Sequence, residues 1–284
     1  MQKTAVIFLL LIGVACTKDP PAFQLTNLNN NQISCFGHAG MGFYSLFPPN
    51  SWPGIETCLN KGADGSEMDV SMTKDSVLVI CHTNDLSAST ACSGYISQSN
   101  WDEIKNCTIQ SSILKNVTLM SLEDFITKLD NPYCYTFTWD TKLAEFNQPY
   151  YGIFSRAIVR MVHQYQLSNQ VFIENPFSDF LERIQQQDST LRLFLLPEEF
   201  NQGFTKAKNS HLFGISINTK NINAAQVIQA HDAGLHVTIY GVKSEQENYE
   251  AIEKCPDFIQ TDNLDYLLKV FGKYRKGYGI WNYK

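Results

Sequence analysis

Gly62-Ala63-Asp64-Gly65-Ser66-Glu67-Met68-Asp69-Val70 is the stretch from which the rest of this chain can be read. Ser66–Val70 has the composition of a short strand that follows a helical pattern over Gly54–Lys61. Alternate side chains of a strand share a face, so Glu67 and Asp69 point one way and Met68 the other. Two carboxylates on one face, set among apolar groups, repel each other strongly. A shared proton, basic partners or a divalent cation resolves that repulsion. The competing explanation is a solvated alternation on a half-exposed strand.

The neighbouring segments favour chemistry. Gly37-His38-Ala39-Gly40 follows the strand-like Ser34–Phe36, and the apolar run Val77–Cys81 ends at His82-Thr83. Both histidines thus stand at strand exits, where parallel barrels carry their active sites. A single histidine there is ordinarily structural, but two beside a carboxylate pair shift the balance. Phe137-Thr138-Trp139-Asp140-Thr141-Lys142 ends a further strand with another carboxylate and, two residues on, a cation. A plain surface ion pair is the alternative reading of Asp140 and Lys142.

Other strand-like runs are Cys134–Trp139, Val171–Glu174, Leu191–Leu196, Gly214–Ile217, Val237–Val242 and Phe258–Gln260. Helical patterns cover Ser121–Leu129, Ser155–Tyr165, Asp179–Gln187, Ala224–Ala233 and Glu245–Lys254. Strands alternating with helices imply βαβ units around a parallel sheet. Nine candidate strands come close to the eight of a closed (β/α)8 TIM-type barrel, one being surplus. Asn84–Asn116 is rich in Ser, Thr, Asn and Cys, with little periodicity, and reads as a small insertion after the third strand. A doubly wound open sheet is the alternative fold, but no glycine-rich fingerprint follows any strand.

With 22 Lys and Arg against 28 Asp and Glu in 284 residues, the net charge of -6 offers no bulk attraction to nucleic acid. An anionic substrate remains compatible, because a bound divalent ion reverses the local field. Residues 1–15 have the layout of a secretory signal, and Gly13-Val14-Ala15-Cys16 is similar to a lipoprotein box in which Cys16 is lipidated. Residues 16–32 then form the lipidated cysteine and its tether, and 33–284 the catalytic barrel. The expected product is a membrane-anchored lipoprotein of the periplasm or cell surface; a secreted soluble protein is the alternative. Without Cys16, seven cysteines leave at least one thiol unpaired. Cys35, Cys81 and Cys134 fall in apolar runs and are expected to be buried and free, whereas Cys92 and Cys107 flank one loop segment as candidates for pairing.

The ordered set of segments resembles the glycerophosphodiester phosphodiesterase family. It comprises His38-Ala39-Gly40, Pro49-Asn50-Ser51, Gly62–Val70, Thr73-Lys74-Asp75, His82, Trp139–Lys142, Val237–Val242 and Gln260-Thr261-Asp262. The family forms are His-Arg-Gly, Pro-Glu-Asn-Thr, Glu-x-Asp-Val, Thr-Lys-Asp, His-Asp, Ile-Glu-Ile-Lys, Trp-Thr-Val and Thr-Asp. The resemblance implies a phospholipase-C-like barrel. Within it, Glu67, Asp69 and Asp140 would be metal ligands, His38 and His82 the acid–base pair, and Lys142 a phosphate contact. Tyr240, where the family has tryptophan, would line the substrate pocket. Oxygen-only ligands imply Ca²⁺ or Mg²⁺. The implied reaction is metal-dependent hydrolysis of a small glycerophosphodiester to an alcohol and glycerol 3-phosphate, with a neighbouring glycerol hydroxyl attacking first.

Ala39, Pro49 and Thr83 depart from the family's Arg, Glu and Asp, and the first two are consistent with a charge pair lost together. Two other functions are weighed. One is a phospholipase-C/D-like lyase on lipid head groups that stops at a cyclic phosphate; the other is a non-catalytic binding lipoprotein, against which the intact His38 and His82 argue. Phe43, Tyr44, Phe47 and Trp52 follow the first histidine and suit either a substrate mouth or packing. His163, His211, His231 and His236 are given no catalytic role.

Overall fold

A computed structural model describes residues 23–111, 113–279 and 283. The proposed leader, Cys16 and the first part of the tether lie outside the described residues. Strands β1 (Ser34–Gly37), β2 (Gly65–Met72), β3 (Leu78–Ile80), β4 (Thr136–Thr141) and β5 (Val171–Asn175) are followed by β6 (Arg192–Leu195), β7 (Gly214–Asn218), β8 (His236–Val242) and β9 (Phe258–Thr261). Eight of them pair in parallel in the order β1-β9-β8-β7-β6-β5-β4-β2, and β1 pairs with β2 to close the barrel. The expected TIM-type barrel is therefore present, and the surplus strand is real but not a stave.

That ninth strand, β3, runs antiparallel along the upper part of β2, with Val70 opposite Ile80 and Met72 opposite Leu78. His82 thus leaves a strand that returns towards the mouth, not a parallel strand rising to it. The backbone bond from Cys81 N–H to the Asp69 carbonyl, 2.9 Å, pins that return beside the carboxylate strand. The insertion continues from this hairpin as short turns with its own apolar cluster of Val79, Leu86, Ile96, Ile104, Ile109 and Leu119. Cys92 and Cys107 form a disulfide across it.

Helices join the staves on the outside, and their starts are written locally. Ser51, Asn147, Asn223 and Ser244 each accept a hydrogen bond from a backbone N–H in the first turn, with reciprocal capping boxes to Gln226 and Glu247 at the last two. Helix Gln148–Gln164 begins seven residues before the periodicity suggests, at Asn147-Gln148-Pro149, because Pro149 in the first turn reads as a breaker until its cap is seen. Helices Phe200–Asn209 and Leu264–Val270 were not expected; the first buries only Phe200, Gly203 and Ala207, too sparse a stripe to read. Cys134 is corrected: it lies on a 3-10 turn before β4 and is exposed, since the strand begins only at Thr136. Cys35 and Cys81 are buried and free, as expected.

The barrel interior grades from apolar to polar along its axis. Phe36, Phe172, Phe194 and Phe258 fill the lower end, with Phe213 and the guanidinium of Arg192 packed beneath. Glycines make this possible: a Cβ on Gly65 would lie 1.6 Å from the Thr136 carbonyl oxygen, and one on Gly214 would lie 2.6 Å from the Phe194 ring. Below β8 and β9, fully buried Asp257 accepts from the Val237 N–H at 2.7 Å and from His231 Nε2 at 2.9 Å. His236 Nδ1 stands at 3.5 Å, too far for a good bond, and its ring stacks on Phe213. His231 and His236 are thus structural.

Burial alone would raise the Asp257 carboxyl, but the histidines and the backbone donor outweigh it and hold it down at about 2, against 3.8 for the free side chain. A folded-state value below the unfolded one gives stability that is present above about pH 4 and lost as the pH falls through about 2; by linkage it amounts to about 2 kcal/mol. Urea unfolding should therefore find Asp257→Asn less stable by about that amount at pH 7, with the gap closing towards pH 2. Equal midpoints for the two proteins at pH 7 would refute this stabilising role of Asp257.

Candidate active site

Strand register builds the site. Asp69 of β2 is the direct neighbour of Asp140 of β4, and Asp140 is the neighbour of Glu174 of β5. Three adjacent staves therefore carry carboxylates at one height, with Glu67 one step below Asp69. Glu67, Asp69 and Glu174 are each 2% exposed. Oxygens of Glu67, Asp69 and Asp140 lie within 4.8 Å of one another, so the structure brings the three expected acids together. They line a cavity of about 510 Å³ at the carboxyl ends of the strands, shared with His38, His82, Lys142 and Tyr240.

Each acid is oriented. Glu67 Oε2 accepts the Ala39 backbone N–H at 2.7 Å. The Asn50 side chain donates to Asp69 Oδ2 at 2.6 Å and accepts the Asp69 N–H at 3.0 Å. Ala39 and Asn50 both hold left-handed backbone, with φ of 49° and 57°, so their loops are bent to deliver these bonds. The Lys142 ammonium is 2.9 Å from Asp69 Oδ1 and also pairs with Asp140. Burial pushes the Glu67 carboxyl well up, and the charges of Asp69, Asp140 and Glu174 add to the effect. Burial likewise raises Asp140, with Lys142 opposing it. For Lys142, desolvation is outweighed by the two aspartates and its protonated form is reinforced.

Glu67 Oε1 is buried and has no hydrogen-bond partner. An orphaned carboxylate oxygen, within reach of two further carboxylates, is what a hard cation would satisfy. The donor set fits an oxygen-coordinated divalent ion, which Glu67, Asp69 and Asp140 could hold.

His38 Nδ1 bonds Asp262 Oδ1 at 2.8 Å, and its Nε2 faces Glu67 Oε2 at 3.9 Å. The same Asp262 oxygen accepts the Phe43 N–H at 3.0 Å. The Phe43 ring sits between the two imidazoles, with centroids 4.9 Å from His38 and 6.2 Å from His82. Phe43 and Tyr44 line the mouth, whereas Phe47 is core and Trp52 packs against Phe125 under the Lys128 ammonium. Tyr240 lines the cavity opposite, and burial beside Glu174 and Asp140 raises its hydroxyl.

Asn50, Glu174, Gln260 and Asp262 were given no role from the sequence. Asn50 and Asp262 lie within segments that carry the family resemblance, so their positions were in view without their partners. Glu174 ends an apolar strand as Asp140 does, a signal that could have flagged it. Burial and then the Asp140 charge push it up to about 8, and the Gln260 amide donates to both its oxygens at 3.1 and 3.3 Å. It therefore adds a fourth carboxyl to the cluster without adding a full further charge near neutral pH.

Residues 41–266 match the sequence profile of the glycerophosphoryl diester phosphodiesterase family. A glycerophosphodiester phosphodiesterase of Bacillus altitudinis is 23% identical over 247 residues, which span 82% of this chain and 96% of that protein. Among solved structures, a glycerophosphodiester phosphodiesterase of Agrobacterium tumefaciens superposes with a TM-score of 0.71 at 17% identity, over 84% of this chain and all (100%) of that one. An enzyme of the same description from Parabacteroides distasonis gives 0.70 at 22% identity, over 84% and 97% of the two chains. An Oleispira antarctica phosphodiesterase, solved in complex with the product sn-glycerol-3-phosphate, gives 0.74 at 16% identity, over 84% and 96%. With most of its length inside the family profile and the same barrel beneath it, this chain belongs to the glycerophosphoryl diester phosphodiesterase family.

Proposed function

We propose that the chain is a metal-dependent phosphodiesterase that converts small glycerophosphodiesters to an alcohol and glycerol 3-phosphate, with His38 and His82 as acid–base pair. The observation that carries the reading is the buried triad of Glu67, Asp69 and Asp140, with its orphaned oxygen, beside two imidazoles in one cavity. The product bound to the Oleispira antarctica structural relative supports the same substrate class. All-oxygen donors favour Ca²⁺ or Mg²⁺ over zinc. When bound, such an ion supplies positive charge that offsets the diester's own and favours ionisation of a hydroxyl.

The side chains divide the remaining work. His38, fixed through Nδ1 by Asp262, presents Nε2 on the carboxylate side, where it takes the proton of the attacking glycerol hydroxyl. In-line attack sends the leaving oxygen to the opposite side of phosphorus, where His82 gives it a proton. The first step closes a cyclic phosphate and breaks the bond to the alcohol; water then opens the ring with the proton roles reversed. Lys142, already fixed between Asp69 and Asp140, offers its ammonium to a phosphate oxygen. Tyr240 lines the same cavity.

For the cell, we propose export and anchoring through a lipidated Cys16. Among the described residues no helix is long and apolar enough to cross a membrane, so attachment would fall to residues before the barrel.

Chelation should abolish turnover of glycerophosphodiesters, and Ca²⁺ or Mg²⁺, but not Zn²⁺, should restore it, with glycerol 3-phosphate identified as the end product. Activity unchanged by chelator, or a cyclic phosphate as the final product, would overturn the reading. His38→Ala should lower kcat by about 10²–10⁴-fold, as measured on any turned-over diester. Asp262→Asn should lower kcat on the order of 10²-fold or more with KM little changed, because the imidazole loses its fixed tautomer. A pH–rate profile identical to that of the parent enzyme would remove Asp262 from this positioning role.

A further inference from the structure

A second cavity, of about 290 Å³, adjoins the reaction site on the side of His82. It shares His82 and Phe43 with the main cavity, whereas His38 lines only the main one. Its walls are Ile80 and Cys81 from the β2–β3 hairpin, with Ala88, Ser89 and Ile109 from the inserted segment and Leu119 just after it. Ile80, Ile109 and Leu119 are core residues of the molecule, so they turn apolar faces to this space from firm ground. The disulfide from Cys92 to Cys107 and the insertion's own apolar cluster hold that wall in place before any ligand arrives.

Apart from the His82 imidazole, polar side chains around this space are engaged elsewhere. The Asn50 amide is taken by Asp69. The Cys81 thiol faces the Thr83 carbonyl at 3.5 Å and the Ser89 hydroxyl at 3.6 Å. The Gln110 amide donates to the Thr90 carbonyl at 2.8 Å. Among the described residues no carboxylate, lysine or arginine lines the cavity, and Phe43 is its single aromatic wall apart from the His82 imidazole. An ammonium or trimethylammonium placed here would lose hydration without a counter-charge or an aromatic cage. A hydrocarbon group would lose nothing and gain burial.

We propose that this cavity seats the leaving alcohol, and that the preferred substrates are glycerophosphodiesters of uncharged, hydrocarbon-bearing alcohols over those of choline or ethanolamine. The inference rests on the function proposed above. The residue that hands a proton to the leaving oxygen must touch it, and of the three cavities that His82 borders this is the one with no carboxylate, lysine or arginine in its lining. In the step, the phosphorus–oxygen bond to the alcohol breaks, its electron pair leaves with that oxygen, and the His82 proton completes the alcohol. The attacking hydroxyl's proton goes to His38. At about 290 Å³ the space lies at the small end of ligand pockets, which suits a short alcohol and not an acyl chain.

The test is kcat/KM along ethyl, propyl and butyl glycerophosphodiesters, whose leaving oxygens have nearly equal reactivity, with glycerophosphocholine alongside. Each buried methylene should raise kcat/KM about fourfold, the equivalent of roughly 0.8 kcal/mol, so butyl should exceed ethyl about fifteenfold and exceed glycerophosphocholine as well. Ala88→Phe, which fills the cavity from an exposed position on a 3-10 turn, should flatten the series to within about threefold. Ser89→Leu, on the same wall, should act likewise and guards against a folding defect in the first variant. A flat series in the parent enzyme, preference for glycerophosphocholine, or a gradient that survives both variants would overturn the subsite. Failure to turn over any diester, or turnover indifferent to chelator, would overturn the function itself and this inference with it.

Discussion

Like charges crowded at the mouth of the barrel are the constraint around which this molecule is arranged. Glu67, Asp69 and Asp140 lie close enough to share one cation, and Glu174 stands next in line on β5. Such a cluster is unfavourable in isolation, and each surrounding feature reduces part of the repulsion. The Ala39 N–H and the Asn50 amide each hold one oxygen. Lys142 places an ammonium between the aspartates, and burial brings Glu174 close to neutrality. One oxygen of Glu67 remains unsatisfied. Positive charge is the missing component, which is why a cation and a phosphodiester belong to the same description of the site.

The scaffold separates stability from chemistry along the barrel axis. Phenylalanines and glycines close the lower end, where packing density sets the requirement. Polar side chains gather at the upper end, on the strand ends that carry the carboxylates and on loops bent through left-handed residues at Ala39 and Asn50. Asp257 links β8 to β9 at the bottom, and Asp262 orients His38 at the top of β9. One strand and its flanks thus serve both ends.

The departures from the family pattern acquire physical meaning in the fold. Ala39 is fully buried with positive φ, and its contribution to the site is a backbone donor, not a side chain. The Asn50 N–H bonds the Ala39 carbonyl at 3.1 Å, so the loops that carry Ala39 and Pro49 are neighbours. That adjacency is what a charge pair lost together would require, and Pro49 now lines the apolar cavity beside His82. Thr83, in place of an aspartate, donates to the Asp85 carbonyl and turns the chain into the insertion.

Much of this was legible in the chain because its signals are local. Alternation in Glu67-Met68-Asp69, histidines after apolar runs, and strands spaced by helical patterns are properties of a few consecutive residues; they indicate the barrel and flag the acids and both histidines, while their roles are what the family resemblance implies. What the sequence could not supply is which residues from distant segments become neighbours. Antiparallel pairing of β3, the register that sets Asp69, Asp140 and Glu174 side by side, the clasp of Asp262 on His38, and the burial of Ala39 all depend on strand registers and loop paths fixed by packing of the whole barrel. Residue chemistry was therefore determined by the sequence alone. Its geometry, including the apolar space beyond His82, was decided only when the barrel closed and the insertion folded against it, because non-local contacts carry no signature in any single stretch of chain.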